Sequence, residues 1–212
     1  MRILQLAAFL ILILSVACTN MQPLGLYDLQ DGSTIKNIDG FSQLTVFSDD
    51  ITSDLWFTKN ETCLKVEQER ADVYSGNGAI HIQWNKQAGG CPWLGLGIGW
   101  DGWTGKDISQ IYKKAAISFR VKTNGKPMTQ LPWAIGLEDF AGSQVWTGAT
   151  ADVVVSGPIS EQWTMVRIPL EKFNPDSPNF DMYGVKQLMF QFESNGEVFM
   201  DQIEIVALDE IN

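Results

Sequence analysis

The chain is 212 residues long with a formal net charge of -10 and a pI near 4.5, a balance that repels nucleic-acid phosphates and excludes a polybasic membrane contact. Its hydrophobic fraction of 45% is enough for a sizeable core, and the length suits one all-β domain rather than two. Neutral ligands remain open.

The first element is an almost wholly apolar run from Ile3 to Val16, preceded by Met1-Arg2 and ended by the small residue Ala17 before Cys18. One positive charge, a short apolar stretch and a small-residue exit make residues 1–17 a signal peptide, too short for a membrane span of about 20 apolar residues. Ser15-Val16-Ala17 would satisfy an ordinary signal peptidase, but a cysteine directly after the cut also resembles the lipobox of bacterial lipoproteins, whose thiol receives diacylglycerol. The usual lipobox Leu is displaced here, with Leu14 four residues before Cys18 and Ser15 three before. This resemblance implies a lipid on Cys18 and a place at the bacterial cell envelope, with the membrane touched only through that anchor. Residues 18–39, with Pro23, Gly25 and Asp31-Gly32 and little periodicity, then read as a tether.

Three cysteines in an oxidising compartment leave one over. With Cys18 acylated, Cys63 and Cys91 can pair, closing a loop of roughly 28 residues worth about 3 kcal/mol. Two free buried thiols are the alternative.

From residue 40 to 212 strands dominate. Leu44 to Phe47, Leu64 to Glu67, Ile80 to Trp84, Ile117 to Val121 and Gln187 to Glu193 alternate apolar with polar residues, the period of a half-buried strand. Turn chemistry separates them at Ser75 to Gly78, Thr123 to Pro127, Ser156-Gly157-Pro158 and Ser194-Asn195-Gly196. The one helical candidate, Asp107 to Lys114, is a turn or two. Many short strands with such punctuation predict a β-sandwich or barrel.

Catalysis is tested by elimination. The only histidine, His81, points away from the core side taken by Ile80, Ile82 and Trp84, and there is no Gly-x-Ser-x-Gly elbow, so histidine-based triads and histidine-rich zinc sites are excluded. Gly95-Leu96-Gly97-Ile98-Gly99 is followed by Trp100 and no crossover helix, which excludes a dinucleotide loop. A glycosidase needs two carboxyls, and Glu138 and Glu193 have the outward parity to serve as the pair.

The richest stretch is Cys91 to Trp100. Leu94, Leu96, Ile98 and Trp100 share core parity, leaving Trp93, Gly95, Gly97 and Gly99 on the opposite face. A glycine row there is bare backbone, open to close approach by a ligand or by a covering loop. If Arg120, Glu138, Gln191 and Glu193 lie in the same sheet, the row becomes the floor of a trough with polar walls. A pyranose in it would stack on Trp93, Trp103 or Trp146 while its hydroxyls met amide, carboxylate or guanidinium groups. Of the eight tryptophans, Trp84 and Trp100 have core parity, and Trp56 and Trp133 carry no assignment.

Taken in order, Tyr74-Ser75-Gly76-Asn77-Gly78-Ala79-Ile80, Asp107-Ile108-Ser109 before Ile117 to Val121, Trp163 to Leu170 with Phe173, and Val198 to Ile203 resemble the galactose-binding-like jelly rolls of bacterial carbohydrate-binding modules. The family 11-type modules and the accessory domain beside bacterial exo-β-glucanases are the nearest in pattern, over residues 44 to 206. The resemblance implies an all-β sandwich jelly roll of one domain, non-catalytic binding of a polysaccharide such as a β-glucan, and a structural role for Trp163. It also implies a structural calcium between the first and last strands, with Asp201 as a ligand and Asp49 or Asp50 as its partner. One fold hosts many functions. An interaction module with an envelope protein partner would show a broad apolar patch, and a glycoside hydrolase or lyase would bring Glu138 and Glu193 close enough to raise one pKa.

Overall fold

Alternation of apolar and polar residues resolves into two sheets packed face to face, a β-sandwich jelly roll. The computed structural model describes residues 22–23, 44–58, 60–88, 90–100, 102–128, 131–147 and 158–208; Cys18, the signal peptide and nearly all of the tether lie outside them.

The strands are β1 (Gln22–Pro23), β2 (Leu44–Phe47), β3 (Leu55–Phe57), β4 (Leu64–Glu69), β5 (Ala79–Asn85), β6 (Gly95–Gly99), β7 (Lys106–Asp107), β8 (Ala115–Lys122), β9 (Trp133–Asp139), β10 (Gln144–Thr147), β11 (Thr164–Pro169), β12 (Val185–Phe192) and β13 (Asn195–Ala207). The first sheet runs β3-β6-β12-β9-β10, with β7 meeting β12 at Val185 and β1 lying parallel to β7. The second runs β11-β8-β13-β5-β4. There β13 pairs with β5 through residues 195–200 and with β2 through residues 203–205, and the ladder shifts register between Asp201 and Glu204, where Gln202 has a φ of 47°.

Register decides which side chains meet in the core. In the first sheet Leu55, Ile98, Leu188, Leu137 and Val145 align across five strands, and Phe57, Leu96, Phe190 and Ile135 form the next row. Facing them from the second sheet are Ile80, Ile82, Trp84, Ile117, Phe119, Val121, Val198 and Met200, all buried. Each large aliphatic or aromatic side chain removed from water contributes about 1.5–3 kcal/mol. Trp133, unassigned from sequence, belongs to this core, edge-on to Trp84 and Phe192 and 1% exposed.

Cys63 and Cys91 form the expected disulfide, joining the residue before β4 in one sheet to the segment leading into β6 in the other. Of the helical candidate, Asp107 belongs to β7 and residues 109–114 form turns, with the amides of Ile111 and Tyr112 on the Ile108 carbonyl. A 3-10 turn at Leu170–Phe173, not anticipated, follows Pro169 and buries Leu170 and Phe173.

Candidate functional site

The outer face of the first sheet is set by the same register that fills the core, displaced by one residue. Trp56 of β3, Gly97 of β6, Met189 of β12, Gly136 of β9 and Trp146 of β10 lie in one line across five strands. On one side of this line Gly95, Gln191 and Ala134 align, and on the other Gly99, Gln187, Glu138 and Gln144.

Indole rings lie on the glycines. A Cβ added at Gly95 would stand 2.2 Å from the Trp93 ring, at Gly97 2.4 Å from Trp56 Nε1, at Gly99 2.4 Å from the Trp103 ring, and at Gly136 2.7 Å from the Trp146 ring. Trp93 and Trp56 stack, with ring centroids 5.7 Å apart and planes 21° from parallel. Trp93 is 38% exposed, and Trp56, Trp103 and Trp146 are half-buried. Gly102 and Trp103 both have φ near +65°. That conformation is costly for a bulky residue, and such residues persist where the surroundings over-determine them. Gly97 and Gly136 are two strand spacings apart, about 10 Å.

Glutamines hold three of the rings by their N–H groups. Trp56 Nε1 donates to Gln187 at 2.5 Å, Trp93 Nε1 to Gln191 at 3.3 Å, and Trp146 Nε1 to Gln144 at 3.2 Å. Gln144 in turn donates to Glu138 at 2.8 Å, Lys186 pairs with Glu138, and Gln191 donates to Glu193 at 3.0 Å. The face is therefore a set of flat π surfaces interleaved with amides, carboxylates and an ammonium. Rings of this kind stack on the C–H face of a sugar, and the polar groups between them match hydroxyls.

Several sequence expectations change. The glycine row is not an open floor: the rings of Trp93, Trp56 and Trp103 fill it, because an indole lying flat needs the volume a Cβ would take. Gly95 and Gly97 thus lie beneath indole rings rather than open on the face. Trp93, Trp103, Trp146, Glu138 and Gln191 do share this face, and Glu193 lies one residue beyond β12 beside Gln191. Arg120 does not; it stands on β8 of the other sheet, with its guanidinium 4.4 Å from the Tyr74 ring centroid. Trp56 was missed, and the parity of Leu55-Trp56-Phe57 is the signal that could have found it.

Glu138 and Glu193 form no catalytic pair. Glu138 is in register with Gln187, and Glu193 lies six residues farther along, about 20 Å away at the rise of a strand, whereas glycosidase carboxyls stand about 5–9.5 Å apart. Each has its own lysine, Lys186 and Lys86 respectively. The Lys86 ammonium and the Gln191 amide hold the Glu193 carboxyl below its usual range, the reverse of a poised acid.

Asp49 and Asp201 converge on the turn at residues 74–77. Asp201, fully buried, accepts the amides of Tyr74 at 2.8 Å, Ser75 at 3.1 Å and Gln202 at 2.7 Å, and Asp49 accepts that of Asn77. Burial pushes the Asp201 carboxyl up, against the pull of these amides and with the charge of Asp49 adding to the rise. Their hard oxygens are of the type calcium prefers, and the two carboxylates would supply part of its six to eight oxygen ligands. Among the described residues no third His, Cys, Asp or Glu joins them. Asp50 pairs instead with Arg70 at 2.5 Å.

Comparison with known proteins adds to this geometry. The family model "Carbohydrate binding domain 30" matches residues 43–207. The family 30 carbohydrate-binding module of a cellulosomal cellulase from Clostridium thermocellum superimposes with a TM-score of 0.65 at 19% identity, covering 79% of this chain and 98% of that one. A family 11 carbohydrate-binding module from the same organism, solved with a β-1,3-1,4-mixed-linked tetrasaccharide, gives 0.54 at 14% identity, covering 77% of this chain and 95% of that one. No curated protein matches the sequence.

The ring-on-glycine packing makes a direct prediction. Gly97→Ala places a methyl group against Trp56 and Gln187, so it should lift the Trp56 ring, weaken the Trp56–Trp93 exciton signal in near-ultraviolet circular dichroism and cost about 1–3 kcal/mol of stability. An unchanged spectrum and melting curve would show that the rings do not lie on β6.

Proposed function

The chain belongs to the carbohydrate binding domain 30 family, and from that premise we propose that it binds a β-glucan on the tryptophan face of the first sheet, held at the bacterial cell envelope by lipid on Cys18. The family consists of non-catalytic carbohydrate-binding modules, and the whole chain is read here as a binding protein without catalysis. The carrying observation is the outer face itself, where four indoles rest on glycines with glutamines and Glu138 between them. A glucan chain presents alternating apolar C–H faces and hydroxyl edges, which such a surface complements. The mixed-linked tetrasaccharide on the family 11 module supports a β-linked ligand. An envelope protein partner would call for a continuous apolar patch, and the polar groups between the rings favour the saccharide.

Calorimetric and tryptophan-fluorescence titration with β-glucans, xylans, mannans and galactans tests the ligand. Saturable binding to a β-glucan is expected, with Trp93→Ala and Trp56→Ala each weakening it about tenfold or more, as for a central aromatic anchor. Binding to no member of the panel, or binding indifferent to both substitutions, would remove this reading.

Lipid anchoring rests on the position of Cys18 behind an apolar leader. In cells, Cys18→Ala should move the protein from the detergent-extracted membrane fraction to the soluble one; an unchanged distribution counts against the anchor. A structural calcium at Asp49 and Asp201 is a separate proposal, since their carboxylates approach one turn. Calcium at a hundredfold excess over its dissociation constant should stabilise the fold by about 2.7 kcal/mol. The melting shift should vanish with chelator and in Asp201→Asn, and no shift in the natural chain would dispose of the ion.

A further inference from the structure

One more aromatic ring lies on a glycine outside the tryptophan group. A Cβ at Gly105 would stand 2.5 Å from Cε2 of Phe140. Gly105 follows Trp103 by two residues, so the Cα atoms of Trp103 and of the glycine under Phe140 are at most about 7 Å apart. Phe140 directly follows β9, two positions past Glu138, which faces outward. The Trp84 ring packs on Gly196 in a similar way but is 3% exposed, a core contact, whereas Phe140 is 52% exposed. Tyr183 is 58% exposed and directly precedes Gly184, whose carbonyl accepts the Phe140 amide at 3.0 Å.

Phe140 and Tyr183 each stand in a turn, the first after β9 and the second before β12. Both turns are pinned by one buried carboxylate. Asp139, fully buried, accepts the Ser143 amide at 2.8 Å and the Asp181 amide at 2.9 Å, while its own amide donates to the Ser143 carbonyl at 3.0 Å. Asp181 then accepts the Tyr183 amide at 2.9 Å. Asp139 thereby fixes the turn after Phe140 directly and the turn of Tyr183 through Asp181. Aromatics held in advance lose little freedom when a ligand covers them, which favours binding.

We propose that Phe140 and Tyr183 form an additional saccharide subsite that continues the tryptophan face past Trp103, so that full affinity requires a chain long enough to run from the tryptophans onto this pair. The inference rests on the reading of the tryptophan face as a saccharide surface, and the ligand is the same β-linked chain. It makes Phe140 and Tyr183 determinants of ligand length rather than of sugar identity.

The test is calorimetric titration of the full chain with β-glucan oligosaccharides from trisaccharide to octasaccharide. Phe140→Ala should weaken the octasaccharide about three- to tenfold and leave the shortest oligomer that binds unaffected, while Phe140→Tyr keeps the natural length dependence. Tyr183→Ala, which leaves the Gly105 contact intact, should also weaken only the long oligomers. Equal loss for short and long oligomers would assign Phe140 to support of the tryptophan face, and no loss with the octasaccharide in either variant would remove the subsite; both overturn the inference. Failure of the natural chain to bind any oligomer would instead remove the saccharide reading beneath it, and the subsite with it.

Discussion

An indole can lie flat against a β-sheet only where the residue beneath it has no side chain. The outer face of the first sheet is organised by that condition: Gly95, Gly97, Gly99 and Gly136 each stand under a ring, and three of the four belong to the single strand β6. Glycine weakens a strand by roughly 0.5–1 kcal/mol relative to alanine. The Gly-Leu-Gly-Ile-Gly strand tolerates this because its alternate residues, Leu96 and Ile98, are anchored in the core rows beside Phe190 and Leu188. The same strand is thus apolar and filled on one side and bare on the other, and the bare side is covered by Trp56 from the neighbouring β3 and by Trp93 and Trp103 from the chain just before and just after β6.

Rings placed in this way still need their orientation held. The indole N–H is a strong donor that is poorly left without a partner, and glutamines from the same face accept it for Trp56, Trp93 and Trp146. Those bonds tie the edges of the rings to the sheet. The disulfide between Cys63 and Cys91 ties down the segment that carries Trp93, two residues after Cys91. Polar satisfaction and cross-linking here act on the positions of apolar surfaces, holding the rings against the sheet.

The turns beyond Trp103 follow the same logic with a different anchor. A buried carboxylate, Asp139, replaces the glutamines, and Phe140 on Gly105 replaces indole on glycine. On the other sheet, by contrast, outward-pointing charged and aromatic residues are occupied with one another: Arg120 over Tyr74, Lys122 with Asp72, and His81 stacked on Phe199 and bonded to Glu197. The two outer faces of the sandwich therefore differ in chemistry although their strands obey one alternation.

Much of this was legible in the amino-acid order. Alternation located β2, β4, β5, β8 and most of β12 to within two residues, because a half-buried strand must repeat every two positions. Parity in Cys91 to Trp100 separated Leu96, Ile98 and Trp100 from Trp93 and the glycines, and the cysteine count left Cys63 and Cys91 as partners. Local order could not say which strands become neighbours, since pairing in a jelly roll joins segments far apart in the chain. Only the tertiary structure sent Arg120 to the opposite sheet, parted Glu138 from Glu193, buried Trp133, and laid Trp56 on Gly97 across a strand boundary. The sequence by itself determined which faces are apolar and where backbone is bare; the register between distant strands decided that Trp56 joins Trp93 and Trp103 over that bare backbone, because a cross-strand contact depends on hydrogen-bonded pairing that no single strand encodes.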